Sequence, residues 1–243
     1  MVAQSANFLA ELDIQLDRTN KSLWESLAAL LNQTQCLRHL SIQANYTDPR
    51  RSEWSVVPVL PEILCKLRLR TCRLVNICLC KNGKNSNWSS LADWRTIQEA
   101  EFTCPTFLIH HGSKMNCLYS LTLSLDERYP KILLYSGILL SKCCPWTHSY
   151  QEIANAVIAV PSLRHLEIRN SIQSLSEILN RRGGLLRKLC IREDQAYAVR
   201  DNAKDDISRI LPDENLLLQI AVICTELQEL SLDAPSDWSL VGY

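Results

Sequence analysis

The stretch VPSLRHLEIRNS, residues 160–171, places its aliphatic side chains at Leu163, Leu166 and Ile168, a step of three followed by a step of two. A helix repeats about every 3.6 residues and a half-buried strand about every two, so neither period alone explains the spacing. The same rhythm returns along the chain, at Leu9-Leu12-Ile14, Leu37-Leu40-Ile42, Leu74-Ile77-Leu79, Leu118-Leu121-Leu123, Leu186-Leu189-Ile191 and Leu227-Leu230-Leu232. Each copy fits L-x-x-L-x-[LI]. The middle positions stand 28, 37, 44, 45, 23 and 41 residues apart, so the copies are serial but irregular.

Several copies follow a segment with helical spacing. Leu23, Leu27, Leu30 and Leu31 precede the second copy; Ile153, Val157 and Val160 the fifth; Ile172, Leu175 and Leu179 the sixth; Leu216, Ile220 and Ile223 the seventh. Each set lines one helical face. Ser22 with Glu25, Ser149 with Glu152 and Ser174 with Glu177 have capping-box spacing, and Asp213 after Pro212 is placed to cap the last helix. Pro161 and Gly183-Gly184 supply stops. The unit is therefore helix, short loop, short strand. The first Leu of each triplet anchors the loop, and the last two, two residues apart on a strand, point to one side. No such unit buries its apolar face alone, whereas stacked neighbours bury a continuous core.

The triplets resemble the leucine-rich repeat, L-x-x-L-x-L-x-x-N/C-x-L, over roughly residues 9 to 235. Asn45 and Asn82 occupy the Asn/Cys place after their triplets; Asp126 and Ser171 stand there in two others. The long irregular units and the LRHLEI style are similar to the divergent repeats of F-box proteins, especially fungal ones. The resemblance implies an α/β leucine-rich-repeat-like solenoid, or horseshoe, with a parallel sheet on its concave face and helices on its convex face. Residues 1–243 then form a single domain of about seven strand–helix units, without an F-box. VLPEIL, Val59 to Leu64, has the look of an F-box start, but the triplet placed at Leu74 leaves no room for the three-helix pattern.

Composition narrows the function. Twenty-six basic residues balance 26 acidic ones, which gives no footing for non-specific nucleic-acid binding. No apolar run reaches the roughly 20 residues a membrane helix needs. The acidic start lacks a secretory signal, so an intracellular protein, cytoplasmic or nuclear, is expected. Its 11 cysteines, Cys36, Cys117 and Cys224 at core-like places among them, then read as reduced small hydrophobes. Chemical motifs are incomplete. LIHHGSK at His110–Lys114 has no G-x-S-x-G partner and reads as an exposed helix end. Cys78/Cys80 and Cys143-Cys144, with His148, do not form a zinc pattern. There is no phosphate-cradling glycine loop. Neither catalytic residues, a metal nor a cofactor is expected.

What remains is an interaction surface. If Leu166 and Ile168 point inward, His165, Glu167 and Arg169 point out. The same rule exposes Glu11, Asp13 and Gln15; His39, Ser41 and Gln43; Asn76, Cys78 and Cys80; Ser120, Thr122 and Ser124; Lys188, Cys190 and Arg192; and Glu229, Ser231 and Asp233. His39, Ser41, His165, Glu167, Arg169, Lys188, Arg192 and Glu229 are the candidate partner-binding residues. Arg169 and Arg192 are the expected anchors for an acidic partner, because guanidinium forks bind carboxylates bidentately. Polar or irregular stretches at 81–90, 126–149 and 192–211 break the period; the second carries an apolar run suited to an extra strand or hairpin. The expected role is a non-enzymatic protein-binding module. The resemblance implies the substrate-recognition part of an F-box type ubiquitin-ligase receptor, contacting the ligase adaptor only through an F-box outside this chain. A stand-alone scaffold and a regulator donating an arginine to a GTPase are the alternatives.

Overall fold

Alternation along each L-x-x-L-x-L segment demands a strand with one apolar side, and the computed structural model of the protein contains eight among the residues it describes. It describes residues 8–17, 20–45, 66–75, 77, 90–103, 108, 111–124, 150–169, 175–192 and 214–232. The strands are β1 (Glu11–Asp17), β2 (His39–Asn45), β3 (Thr71–Val75), β4 (Glu99–Phe102), β5 (Ser120–Ser124), β6 (His165–Arg169), β7 (Lys188–Arg192) and β8 (Glu229–Leu232). They form one sheet in sequence order, β1 to β8, with every neighbouring pair parallel. Parallel neighbours require a crossover between them. Among the described residues these crossovers carry α1 (Lys21–Gln33), α2 (Tyr150–Ile158), α3 (Leu175–Arg182) and α4 (Glu214–Ile223). No described helix is long and apolar enough to cross a membrane.

Register aligns the apolar side chains in two rows. Leu12, Leu40, Cys72, Ala100, Leu121, Leu166, Leu189 and Leu230 form one; Ile14, Ile42, Leu74, Phe102, Leu123, Ile168, Ile191 and Leu232 form the other. From β2 to β7 both rows are buried and share one cluster with Trp24, Leu27 and Leu31 of α1, Val157 of α2, Leu179 of α3 and Ile220 of α4. Each buried Leu or Ile contributes roughly 1.5–3 kcal/mol. The outer strands differ: Leu12 and Ile14 are only partly buried, and Leu230 is 45% exposed.

Six of the seven triplets predicted from sequence coincide with strands; the third does not. The strand expected over Leu74–Leu79 lies at Thr71–Val75, so its inward residues are Cys72 and Leu74, with Leu69 anchoring the loop. The expected outward residues Asn76, Cys78 and Cys80 lie outside the described residues. β4 was not anticipated at all. It uses Ile97, Ala100 and Phe102, the same rhythm with Ala at the middle position. The sheet therefore has eight strands where about seven units were expected. Burial selects for an apolar surface of the right volume, and Cys72 and Ala100 meet that requirement as Leu does elsewhere.

Among the described residues, the connections on either side of β4 carry 3-10 turns at Trp94–Thr96 and Gly112–Lys114. Here Trp94 supplies the bulk, with its ring centroid 6.5 Å from Phe102 and 6.2 Å from His111. HisGly at 111–112 stands where a helix gives way to the 3-10 turn, and Ser113 and Lys114 are exposed as expected of a helix end, but Gly112 is buried: a Cβ there would meet the Ala156 carbonyl oxygen at 3.0 Å. α1 is capped by Asn20, whose Oδ1 accepts from the Leu23 amide and the Ser22 hydroxyl. Ser22 is thus one position inside the helix rather than the cap expected of it. The buried stripe of α1 is Trp24, Leu27, Ala28 and Leu31, and Leu23 is 41% exposed. The caps expected at Ser149, Ser174 and Asp213, and the breaks at 81–89, 126–149 and 193–211, lie outside the described residues.

Helices of consecutive units lock to one another. α2 packs on α3, and α3 on α4. Arg182 at the end of α3 donates from Nε and Nη2 to the Ile158 carbonyl, at 3.0 and 2.5 Å, satisfying the exposed C-terminus of α2. Gln219 of α4 donates to Asn180 Oδ1 and the Ser176 carbonyl of α3. Ahead of the strands, a carbonyl ladder ties unit to unit. The Arg38 and His39 amides both donate to Ala10 O, those of Arg70 and Thr71 to Arg38 O, and those of Gln98 and Glu99 to Arg70 O. Tyr119, Arg164, Arg187 and Gln228 continue it. The loops entering the strands are thus tied into one continuous edge along the sheet.

Candidate partner-binding face

The strand residues between the buried rows face away from the described helices. Three rows result. The first contains Glu11, His39, Thr71, Glu99, Ser120, His165, Lys188 and Glu229; the second Asp13, Ser41, Arg73, Glu101, Thr122, Glu167, Cys190 and Ser231. The third contains Gln15, Gln43, Val75, Arg169 and Arg192. All eight candidate residues read from sequence are on this face: His39, Ser41, His165, Glu167, Arg169, Lys188, Arg192 and Glu229.

Arg169 is held by its neighbours. Its Nε lies 2.7 Å from Glu167 Oε1, and its Nη1 3.4 Å from Glu101 Oε1. Glu101 also receives Arg73 Nε at 2.7 Å, and Glu167 stands 3.8 Å from Arg192 Nε. The result is a chain of alternating sign, Arg73–Glu101–Arg169–Glu167–Arg192, that runs from β3 to β7. Arg169 on β6 reaches Glu101 on β4 across β5, a gap of about 9.6 Å between backbones, which the small Thr122 leaves open. Glu101 and Glu167 are only 16% and 21% exposed. Each carboxylate faces two guanidinium groups, so the acidic members of the chain are already matched.

The first row carries three smaller clusters. Lys188 Nζ sits 2.7 Å from Glu229 Oε2, which raises the Lys188 ammonium and lowers the Glu229 carboxyl from their ordinary values through the hydrogen bond they share. Tyr119, in the loop just before β5, donates its phenolic hydrogen to Glu99 at 2.5 Å and is pushed above its ordinary value by that carboxylate. The His165 ring meets Tyr119 edge-on at 5.6 Å. His39 Nδ1 is 3.0 Å from the Thr71 hydroxyl.

Two residues on this face depart from expectation. Cys190 was expected outward and exposed; it is outward but 1% exposed, because Arg192 folds over it with Nε 3.0 Å from Sγ. Ser41 Oγ is buried without a hydrogen-bond partner among the described residues. Cysteine placement is corrected too. Cys36 and Cys117, expected in core-like places, are exposed, while Cys72, Cys190 and Cys224 are buried. Burial pushes the Cys72 thiol up to about 12, which makes it an inert hydrophobe at neutral pH.

Arg73, Glu101, Thr71 and Glu99 were missed from sequence. The signal was available: Leu69-x-x-Cys72-x-Leu74 and Ile97-x-x-Ala100-x-Phe102 keep the three-then-two spacing. Admitting Cys and Ala at the middle place, and Phe at the last, would have found both strands and with them the outward charges. No family model, curated protein or solved structure matches this chain.

Proposed function

We propose that the protein is a non-enzymatic protein-interaction module. In this reading it is a leucine-rich-repeat-like solenoid whose open sheet face, concave in that architecture, receives a partner polypeptide. The observation that carries the reading is the strand order: each unit adds one parallel strand beside the last, in unbroken register. Eight strands at about 4.8 Å make a face roughly 34 Å long, suited to an interface of about 800 Å² per partner. Its rows mix both signs with serines, threonines and histidines, which favours a partner that is itself mixed in charge over a uniformly acidic one. Arg169 serves chiefly to order the face, and the more exposed His39, Lys188, Arg192 and Glu229 make the outward contacts.

The repeat rhythm further supports the substrate-recognition part of an F-box type ubiquitin-ligase receptor, working inside the cell. Affinity capture with mass spectrometry, comparing wild type with a His39→Glu/Lys188→Glu variant, tests the binding face. Loss of captured partners at an unchanged melting temperature is the expected result; the same partners captured equally well by both proteins would sink it. An F-box encoded upstream in the same gene would support the receptor role, whereas none there, with a stable soluble product, would assign a stand-alone scaffold. Stimulated GTP hydrolysis that disappears in Arg73→Ala or Arg192→Ala would replace both with a GTPase regulator.

A further inference from the structure

The two outer strands of the sheet are finished differently. β8 is four residues long, and its outward carboxylate, Glu229, is paired with Lys188. β1 is seven residues long and, among the described residues, has a neighbouring strand on its β2 side only. Glu11 and Asp13 stand exposed on its open side. Leu12 and Ile14 on its helix side begin the two apolar rows, yet both are only partly buried. Phe8, just ahead of the strand, is 84% exposed. Neither Glu11 nor Asp13 has a cation within ion-pair distance among the described residues. Elsewhere on the open face Glu101 and Glu167 are matched by arginines, and Glu99 by the Tyr119 hydroxyl.

We infer that β1 accepts an added strand from a partner, an extended segment in which Lys or Arg alternates with aliphatic residues. A strand with one neighbour leaves alternate backbone N–H and C=O groups without a ladder partner, and an extended segment can complete them. Alternation carries across a ladder, so side chains of the added strand fall into the rows that β1 begins. Those beside Glu11 and Asp13 meet carboxylates that lack cations. Those beside Leu12 and Ile14 meet aliphatic groups still partly in water. Opposite charges in facing positions are favourable, and like charges there are not. The same rule sets aside a second copy of this chain. An antiparallel β1–β1 pair centred on Leu12 sets Glu11 against Asp13, and joining β8 of one copy to β1 of another in continued register sets Glu229 beside Glu11. A basic, alternating segment meets the charge and the apolar requirement together. It seats on the rim of the sheet and leaves the open face accessible.

The full chain is titrated with three fluorescein-labelled peptides and followed by fluorescence anisotropy. One alternates Lys with Val, one alternates Glu with Val, and the third is the Lys–Val peptide N-methylated throughout, which keeps its charge and removes its backbone donors. The Lys–Val peptide is expected to bind saturably and roughly tenfold more tightly than the other two. It should slow amide hydrogen exchange in β1 and leave β8 unchanged. Glu11→Lys/Asp13→Lys, changed at two exposed positions, should prefer the Glu–Val peptide at an unaltered melting temperature. The inference is overturned if the Lys–Val peptide does not saturate, if its N-methylated form binds as tightly, or if the slowed exchange falls on β8. It also fails if the charge-reversed variant still prefers Lys–Val, or if sedimentation and exchange show β1 already covered in a dimer of the chain. Capture on the open face is read through His39 and Lys188, so either reading can fail without the other.

Discussion

On β6, Leu166 and Ile168 are shut away from solvent, while Glu167 between them stays partly exposed and pairs with Arg169. The two faces of the sheet are built from alternate residues of the same strands and obey different rules. The covered face asks only for apolar volume, so Leu, Ile, Cys, Ala and Phe all serve in its rows. The open face depends on identity and size together. Arg169 reaches Glu101 because β5 offers Thr122 between them, and Cys190 is covered because Arg192 lies across it. Tolerance of composition on one face and dependence on specific pairs on the other explain why the two were unequally legible in the chain.

The sharpest way to break the contrast is to change adjacent residues of β6. Leu166→Ala should destabilise the fold by about 2–5 kcal/mol, since it leaves a cavity in the shared core. Glu167→Gln beside it should cost a small fraction of that in the same chemical-denaturation experiment. Comparable losses would mean that the open face also holds the fold together.

Alkaline titration probes the covered face by another route. Cys72 is held protonated to about 12 when folded, whereas an unfolded cysteine ionises near 8.5. A raised folded value contributes stability that is intact below the unfolded value and lost as pH climbs toward the folded one. Cys72 should therefore remove about 1.4 kcal/mol of stability per pH unit above roughly pH 9. Cys72→Ala, compared with wild type in denaturant melts from pH 8 to about 11, should show a correspondingly flatter decline; parallel curves would place the thiol in contact with solvent.

Helix packing gives a paired test of intermediate size. A Cβ at Gly183 would stand 2.7 Å from Ile223 Cγ2, whereas at Gly184 the nearest neighbour is the Ile223 carbonyl oxygen at 3.7 Å. Gly183→Ala is expected to cost about 1–3 kcal/mol by overpacking, and Gly184→Ala much less, as read from the two melting temperatures. The reverse order would show that α4 sits differently against the turn after α3.

The smallest effect belongs to the charge chain. Glu101→Gln should cost about 1 kcal/mol or less, because its arginine partners remain partly solvated. A double-mutant cycle with Arg73→Met should reveal coupling that shrinks as salt is raised. Coupling unaffected by salt would point to a hydrogen bond insulated from solvent instead of a screened ion pair.

How much was readable depended on what each position had to satisfy. Six strands followed from triplets whose aliphatic residues recur at fixed offsets, and the buried face of α2 followed from Ile153 and Val157, with Val160 buried just past its end. β3 was misplaced because Leu74-Ile77-Leu79 imitates the rhythm better than Leu69-Cys72-Leu74 does. Leu74 belongs to both readings, and only pairing with Leu40 and Ile42 of β2 through Cys72 and Leu74 separates them. β4 escaped because Ala100 carries too little apolar surface to announce a core position. The outward residues of those two strands, Arg73 and Glu101, were lost with them, and they are the two that turn Arg169 from an expected free anchor into a bound one.

The chain by itself determined the alternation, the parallel α/β class and the side of the sheet on which His39, Lys188 and Arg192 would stand, because these follow from local spacing and from the cost of leaving aliphatic residues in water. Tertiary structure decided which charges remained available. Whether a guanidinium is held or open depends on residues as distant as Glu101 and Arg169, which only strand pairing brings side by side. Coulombic attraction depends on separation in space, and separation along the chain does not encode it.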